Sequence, residues 1–183
     1  MTDVPVIKAD FLEAGSSGPA VMLVHSSVSG ARQWRRLMDD LKDRFRVRAV
    51  NLFGYGKTPP WSGNATQSLD DQARLVEGVL PANANKVCLV GHSFGGSVAM
   101  KLAARLGARV SKLVLLETNP FYLLAQAVGS MRLPKPWTCE IVSKHTERAV
   151  SGWSRPKNLQ TIGAALDRGR TCHSNGARFL RKR

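Results

Sequence analysis

One serine stands where nucleophilic chemistry would need it. In Gly91-His92-Ser93-Phe94-Gly95 a hydroxyl sits between two glycines, each two residues away. The preceding run Lys86-Val87-Cys88-Leu89-Val90 reads as a strand. After it, Phe94, Val98, Leu102 and Leu106 recur at every fourth position, as on one face of a helix. A one-residue turn between such elements forces the middle residue into a strained bend, and glycine at both flanking positions removes the side chains that would collide. The hydroxyl then stands clear at the carboxyl end of the strand. The backbone N–H of Phe94 faces an oxyanion formed beside it, helped by the positive end of the following helix. This arrangement suits covalent acyl transfer, in which Ser93 attacks a carbonyl carbon and water later releases the acyl group. Gly-x-Ser-x-Gly alone is common by chance; the flanking strand and helix give it weight.

The rest of the chain must position that turn. Ala20-Val21-Met22-Leu23-Val24-His25 is a continuous apolar run of strand length, and Ala31, Trp34, Leu37, Met38 and Leu41 then recur at helical spacing. Phe45 to Leu52 reads as a strand, and 53–64, rich in Gly and Pro, as a loop. Ser68, with Asp71 three residues on, predicts a capped helix start, with Leu69, Ala73, Val76 and Leu80 continuing it as far as Pro81. Val110 to Leu116 is a further buried-type strand. Unbroken apolar strands separated by amphipathic helices predict an α/β fold with a mostly parallel sheet flanked by helices.

Beyond about Val128 the pattern decays. Leu133-Pro134-Lys135-Pro136-Trp137 interrupts regular structure, Leu159, Ile162 and Leu166 suggest one weak helix, and Ile141, Val142 and Ala149 another; no strand is expected there. The expected organisation is a core over 1–128 and a basic, weakly structured extension over 129–183.

Composition sets outer bounds. A chain of 183 residues fits one ordinary domain, and 43% hydrophobic with 22% charged residues argues against wholesale disorder. No apolar run reaches the length of a membrane-spanning helix, and Met1-Thr2-Asp3-Val4-Pro5 does not open a secretory signal. Cys88, Cys139 and Cys172 are too scattered for a disulfide framework or a paired zinc site. The expectation is a cytoplasmic protein with free thiols, no metal and no cofactor. The net charge of +14 divides unevenly, +5 over 1–128 and +9 over 129–183, with Arg168, Arg170, Arg178, Arg181, Lys182 and Arg183 at the end. No nucleic-acid motif and no interleaved aromatics accompany these cations, so they read as a solvated terminus and nucleic acid is not an expected partner.

Three motifs in order resemble the α/β-hydrolase superfamily over roughly residues 4–128. Besides Gly91–Gly95, His25-Ser26-Ser27 is similar to the family's His-Gly-x turn after its first core strand, with Ser26 in place of the glycine. Asn51-Leu52-Phe53-Gly54-Tyr55-Gly56-Lys57-Thr58 is similar to its Asp-x-x-Gly-x-Gly-x-Ser segment, with Asn51 and Thr58 substituted. The resemblance implies a serine hydrolase acting on an ester or related small carbonyl substrate, with Ser93 as nucleophile and the Ser27 and Phe94 N–H groups as oxyanion hole. It also implies an acid and then a histidine base later in the chain. Asp167 and His173 have that order. Glu117 closes the strand Val110–Leu116 on the edge of Ser93, where some members place their acid. His145 lies on a weak helical stretch. His25 and His92 belong to tight turns and read as structural histidines.

Two functions remain open from sequence. One is the serine hydrolase. The other is a truncated, inactive hydrolase-like protein, left with a basic tail serving in binding or nothing; its unassisted Ser93 would react weakly or not at all with a fluorophosphonate. In either case an incomplete sheet would leave an exposed edge able to drive self-association.

Overall fold

The computed structural model describes residues 7–63, 66–81 and 83–118, the strand backbones at 138–142 and 177–180, and residues 162, 163 and 166. Five strands lie in the continuous part: β1 (Phe11–Ala14), β2 (Ala20–Val24), β3 (Arg46–Val50), β4 (Val87–His92) and β5 (Val110–Leu116). Two more, β6 (Thr138–Val142) and β7 (Ala177–Leu180), extend the sheet, whose order is β1-β3-β2-β4-β5-β6-β7. Only β1 is antiparallel to its neighbour; every other pairing is parallel. The mostly parallel α/β sheet expected from sequence is therefore the observed fold.

The parallel strands are apolar on both faces because both faces are covered. Ala20, Met22 and Val24 of β2 join Leu89, Leu113 and Leu115 in one core cluster. Val21 and Leu23 join Val90, Val114 and Leu116 in the other, as the two-residue period of a strand requires. Helix α2 (Leu69–Glu77) and helix α3 (Phe94–Leu106) cover the first face through Ala73, Val76, Val98 and Leu102. Helix α1 (Arg35–Leu41) and the 3₁₀ turn Ala31–Trp34 before it cover the second through Trp34, Leu37, Met38 and Leu41. The Ser68–Asp71 capping box starts α2 as expected, but the helix ends at Glu77, before Gly78, rather than running on to Pro81.

Three strands depart from the sequence reading. β1 carries no long apolar run and is held at the edge by the Arg48–Glu13 ion pair (2.8 Å) and by the Arg48 guanidinium over the Phe11 ring (4.7 Å). β6 and β7 are strands where none was expected, and residues 138–142 do not begin the helix suggested by Ile141 and Val142. Glu140 splits the apolar run of β6, and Arg178 sits inside β7, so neither shows the unbroken signal of a central strand. Ile162 and Leu166 keep the spacing read for them and are buried against the second face, where the Lys112 ammonium donates to the Leu166 carbonyl (3.0 Å).

Candidate active site

Ser93 is the single residue between the end of β4 and the start of α3. It takes φ 51° and ψ −117°, a positive φ that a residue with a Cβ adopts only under constraint. The constraint is visible. The Ser93 N–H donates to Leu116 O (2.8 Å), and Gly96 N–H donates to Ser93 O (2.9 Å). A Cβ on Gly91 would lie 2.4 Å from Gly95 O, and one on Gly95 would lie 2.3 Å from His25 O. The strand, the helix and the neighbouring turn thus approach so closely that only glycine fits at either position. No side-chain hydrogen bond caps the start of α3.

The sheet register brings three loops to this edge. Val24 pairs with Gly91 and His92 with Leu116, so the turn His25-Ser26-Ser27 after β2 and Glu117 after β5 flank the Ser93 bend. From β2 the chain moves to one side to form β3 and returns on the other as β4. The strand order therefore reverses at this point, the place in an open α/β sheet beyond which ligands generally bind. Ser27, Ser93, Phe94 and Glu117 all stand on that edge. Glu117 is the one other described non-glycine residue with positive φ, at 45°. Asp167, His173 and His145 lie outside the described residues.

Both described histidines are held in place by other groups. His25 is fully buried; its Nδ1 lies 2.7 Å from Ser26 O and its Nε2 accepts from Leu52 N–H at 3.1 Å. Those partners fix the proton on Nδ1 and leave the ring neutral, and burial lowers its pKa accordingly. Tyr55 packs edge-on at 4.5 Å between ring centroids. His92 Nδ1 lies 2.8 Å from Gln33 Nε2, while its Nε2 is 3.9 Å from Glu117 Oε2, too far for a hydrogen bond. Burial pulls the His92 pKa down to about 4, and the carboxylate at that distance does not restore it. Neither ring hydrogen-bonds the Ser93 hydroxyl.

Gln33, which carries no sequence signal of its own, joins the two turns. Its Oε1 accepts from Ser26 N–H (3.2 Å) and from the Ser29 hydroxyl (2.5 Å), while its Nε2 donates to His92. The Asn51–Thr58 segment is held as a scaffold. Asn51 Oδ1 accepts from Ala31 N–H (2.8 Å), and its Nδ2 donates to Asp10 Oδ2 (2.8 Å). That same oxygen accepts from Lys57 N–H (3.0 Å), the main reason Asp10 has a lowered pKa. Phe53 and Trp61 meet edge-to-face at 5.3 Å in the loop that follows. Among the described residues no group of three His, Cys, Asp or Glu side chains could hold a metal, and no helix is long and apolar enough to cross a membrane.

Comparison with known proteins identifies the family of the fold. The family model described as the alpha/beta hydrolase fold matches residues 19–170, well past the limit near 128 expected from motifs. The chain is 33% identical over 175 residues to Lipase LipV of Mycobacterium tuberculosis, covering 88% of this chain and 62% of the lipase. It is 30% identical over 129 residues to the pimeloyl-[acyl-carrier protein] methyl ester esterase of Nitrosomonas europaea, covering 70% and 46% respectively. The chain thus spans about half to three-fifths of the length of these curated relatives. Among solved structures, a marine microorganism esterase matches with a TM-score of 0.57 and 26% identity, over 62% of this chain and 43% of that one. A meta-cleavage product hydrolase from Pseudomonas fluorescens matches with 0.53 and 31%, over 59% and 40%. With its reversed parallel sheet and its serine on a glycine-flanked bend, the chain belongs to the alpha/beta hydrolase fold family.

Proposed function

We propose that the protein is an ester hydrolase working through Ser93. The observation that carries this reading is the backbone of Ser93. A positive φ at a serine costs on the order of 1–3 kcal/mol and persists only where its surroundings impose it. Here the close backbone approaches at Gly91 and Gly95 impose it, at the carboxyl end of β4. Ser93 Oγ attacks the ester carbonyl, and the proton it loses goes to a histidine base. The Phe94 and Ser27 N–H groups hold the oxyanion, the alcohol departs, and water attacks the acyl-serine to regenerate the enzyme. With His25 and His92 engaged elsewhere, the base within this chain is His173 or His145, with Glu117 or Asp167 as its acid. The names of the relatives, a lipase and a methyl ester esterase, support an ester as substrate.

One observation favours the second reading, an inactive hydrolase-like protein: among the described residues no histidine meets the Ser93 hydroxyl. Labelling with a fluorophosphonate separates the two. Stoichiometric modification at Ser93, abolished in Ser93→Ala, is the expected result; failure to label sinks the hydrolase proposal. Replacing His173 and His145 in turn then identifies the base, whose loss lowers turnover by orders of magnitude.

A further inference from the structure

We infer that Gln33 is a positioning residue that locks the His25–Ser27 turn to the end of β4, and so fixes the Ser27 N–H relative to Ser93. The inference rests on the hydrolase reading for its catalytic meaning and on independent geometry for its substance.

Gln33 lies in the 3₁₀ turn Ala31–Trp34, outside all three motifs. Its carboxamide is oriented by its neighbours. Ser26 N–H and the Ser29 hydroxyl are donors, so the oxygen must face them, and the nitrogen must then face His92. The Ser26 hydroxyl completes the cluster, 3.0 Å from Ser29 Oγ and 3.3 Å from Gln33 Oε1. A consistent set of protons follows, with Ser26 Oγ–H donating to Ser29 Oγ and Ser29 Oγ–H donating to Gln33 Oε1. The amide N–H leaves His92 Nδ1 as an acceptor, which places the ring proton on Nε2. Where Ser26 replaces a glycine of the family turn, the added hydroxyl is absorbed by this network. An oxyanion donor works only if held within a few tenths of an ångström, and Gln33 supplies the tie between the donor's turn and the nucleophile's strand.

The test compares wild type, Gln33→Leu and Gln33→Glu by ¹⁵N NMR of the His92 ring, amide exchange at Ser26 and Ser27, and fluorophosphonate labelling. Wild type is expected to show the Nε2–H tautomer. Gln33→Leu should speed exchange at Ser26 and Ser27 at least tenfold and slow Ser93 labelling about ten- to a hundredfold, since one lost oxyanion donor sets the upper scale. In Gln33→Glu the carboxylate keeps the Ser26 and Ser29 bonds but draws a proton onto His92 Nδ1. His92, which also faces Glu117, should then protonate at least one pH unit higher, while exchange stays near wild type. If Gln33→Leu does not fold, the Gln33→Glu arm decides. An Nδ1–H tautomer in wild type, or unchanged exchange in Gln33→Leu, overturns the inference. Absence of labelling in wild type overturns the hydrolase reading instead, and the NMR and exchange results still decide the role of Gln33.

Discussion

His25 and His92 are both buried, and this gives the protein a sensitivity to acid that sets in at a higher pH than the contributions of Asp10 and Asp70 are lost. His92 falls from the ordinary 6.5 to about 4 and His25 is lowered in the same sense, both chiefly by burial. A histidine lowered by folding binds its proton more readily in the unfolded chain. Its burial therefore costs nothing above pH 6.5 and becomes progressively destabilising as pH falls toward the folded value. For His92 alone the loss is on the order of 3 kcal/mol by pH 4. Asp10 and Asp70 are lowered by a backbone N–H of Lys57 and by Arg74 respectively, so their contributions disappear only as pH drops through and below 3.8. The urea midpoint should therefore fall as pH drops from 6.5 to 4, above the range in which Asp10 and Asp70 lose their contributions. His92→Gln should flatten part of that slope; a wild-type midpoint level across this window would refute the account.

The strand–bend–helix unit is the element on which the site depends, and its glycines can be tested directly. A methyl group on Gly95 would meet the Val24 and His25 carbonyl oxygens at 2.4 and 2.3 Å. Backbone atoms cannot rotate away, so α3 must shift from β2. Gly95→Ala should cost about 3 kcal/mol in urea unfolding and slow Ser93 labelling more than tenfold. A variant that unfolds and labels like wild type would refute the close approach. This element was legible in sequence because every constraint on it is local: a buried strand, two glycines and an amphipathic helix within 20 residues. The covered central strands were legible for the same reason, through their unbroken apolar runs. β1, β6 and β7 were not, because their pairing is decided by partners far away in sequence, such as Val50 opposite Phe11 and Leu116 opposite Val142. Gln33 was hidden likewise: an amide 59 residues from His92 carries no local signal, and only the register of β2 against β4 brings the two together.

At the scale of the molecule, residues from beyond 128 help to cover the sheet and extend it. Ile162 is 1% exposed and joins Val90, Val114 and Leu116 in the second core cluster, with Leu166 beside it. β6 pairs in parallel with Lys112–Leu116 and gives β5 its outer neighbour. A fragment ending at 128 would therefore expose one face of β5, leave that strand as an unpaired edge and strand the Lys112 ammonium without its carbonyl partner. Ile162→Ala in the full chain should lower stability by about 2–5 kcal/mol, as for other buried aliphatic truncations. The 1–128 fragment should aggregate, or show no cooperative thermal transition by circular dichroism. A monomeric fragment melting cooperatively near the temperature of the full chain would show that the segment around 162 and 166 only rests on a finished core. In that case the burial of Ile162 would contribute little, and its alanine variant should unfold like wild type.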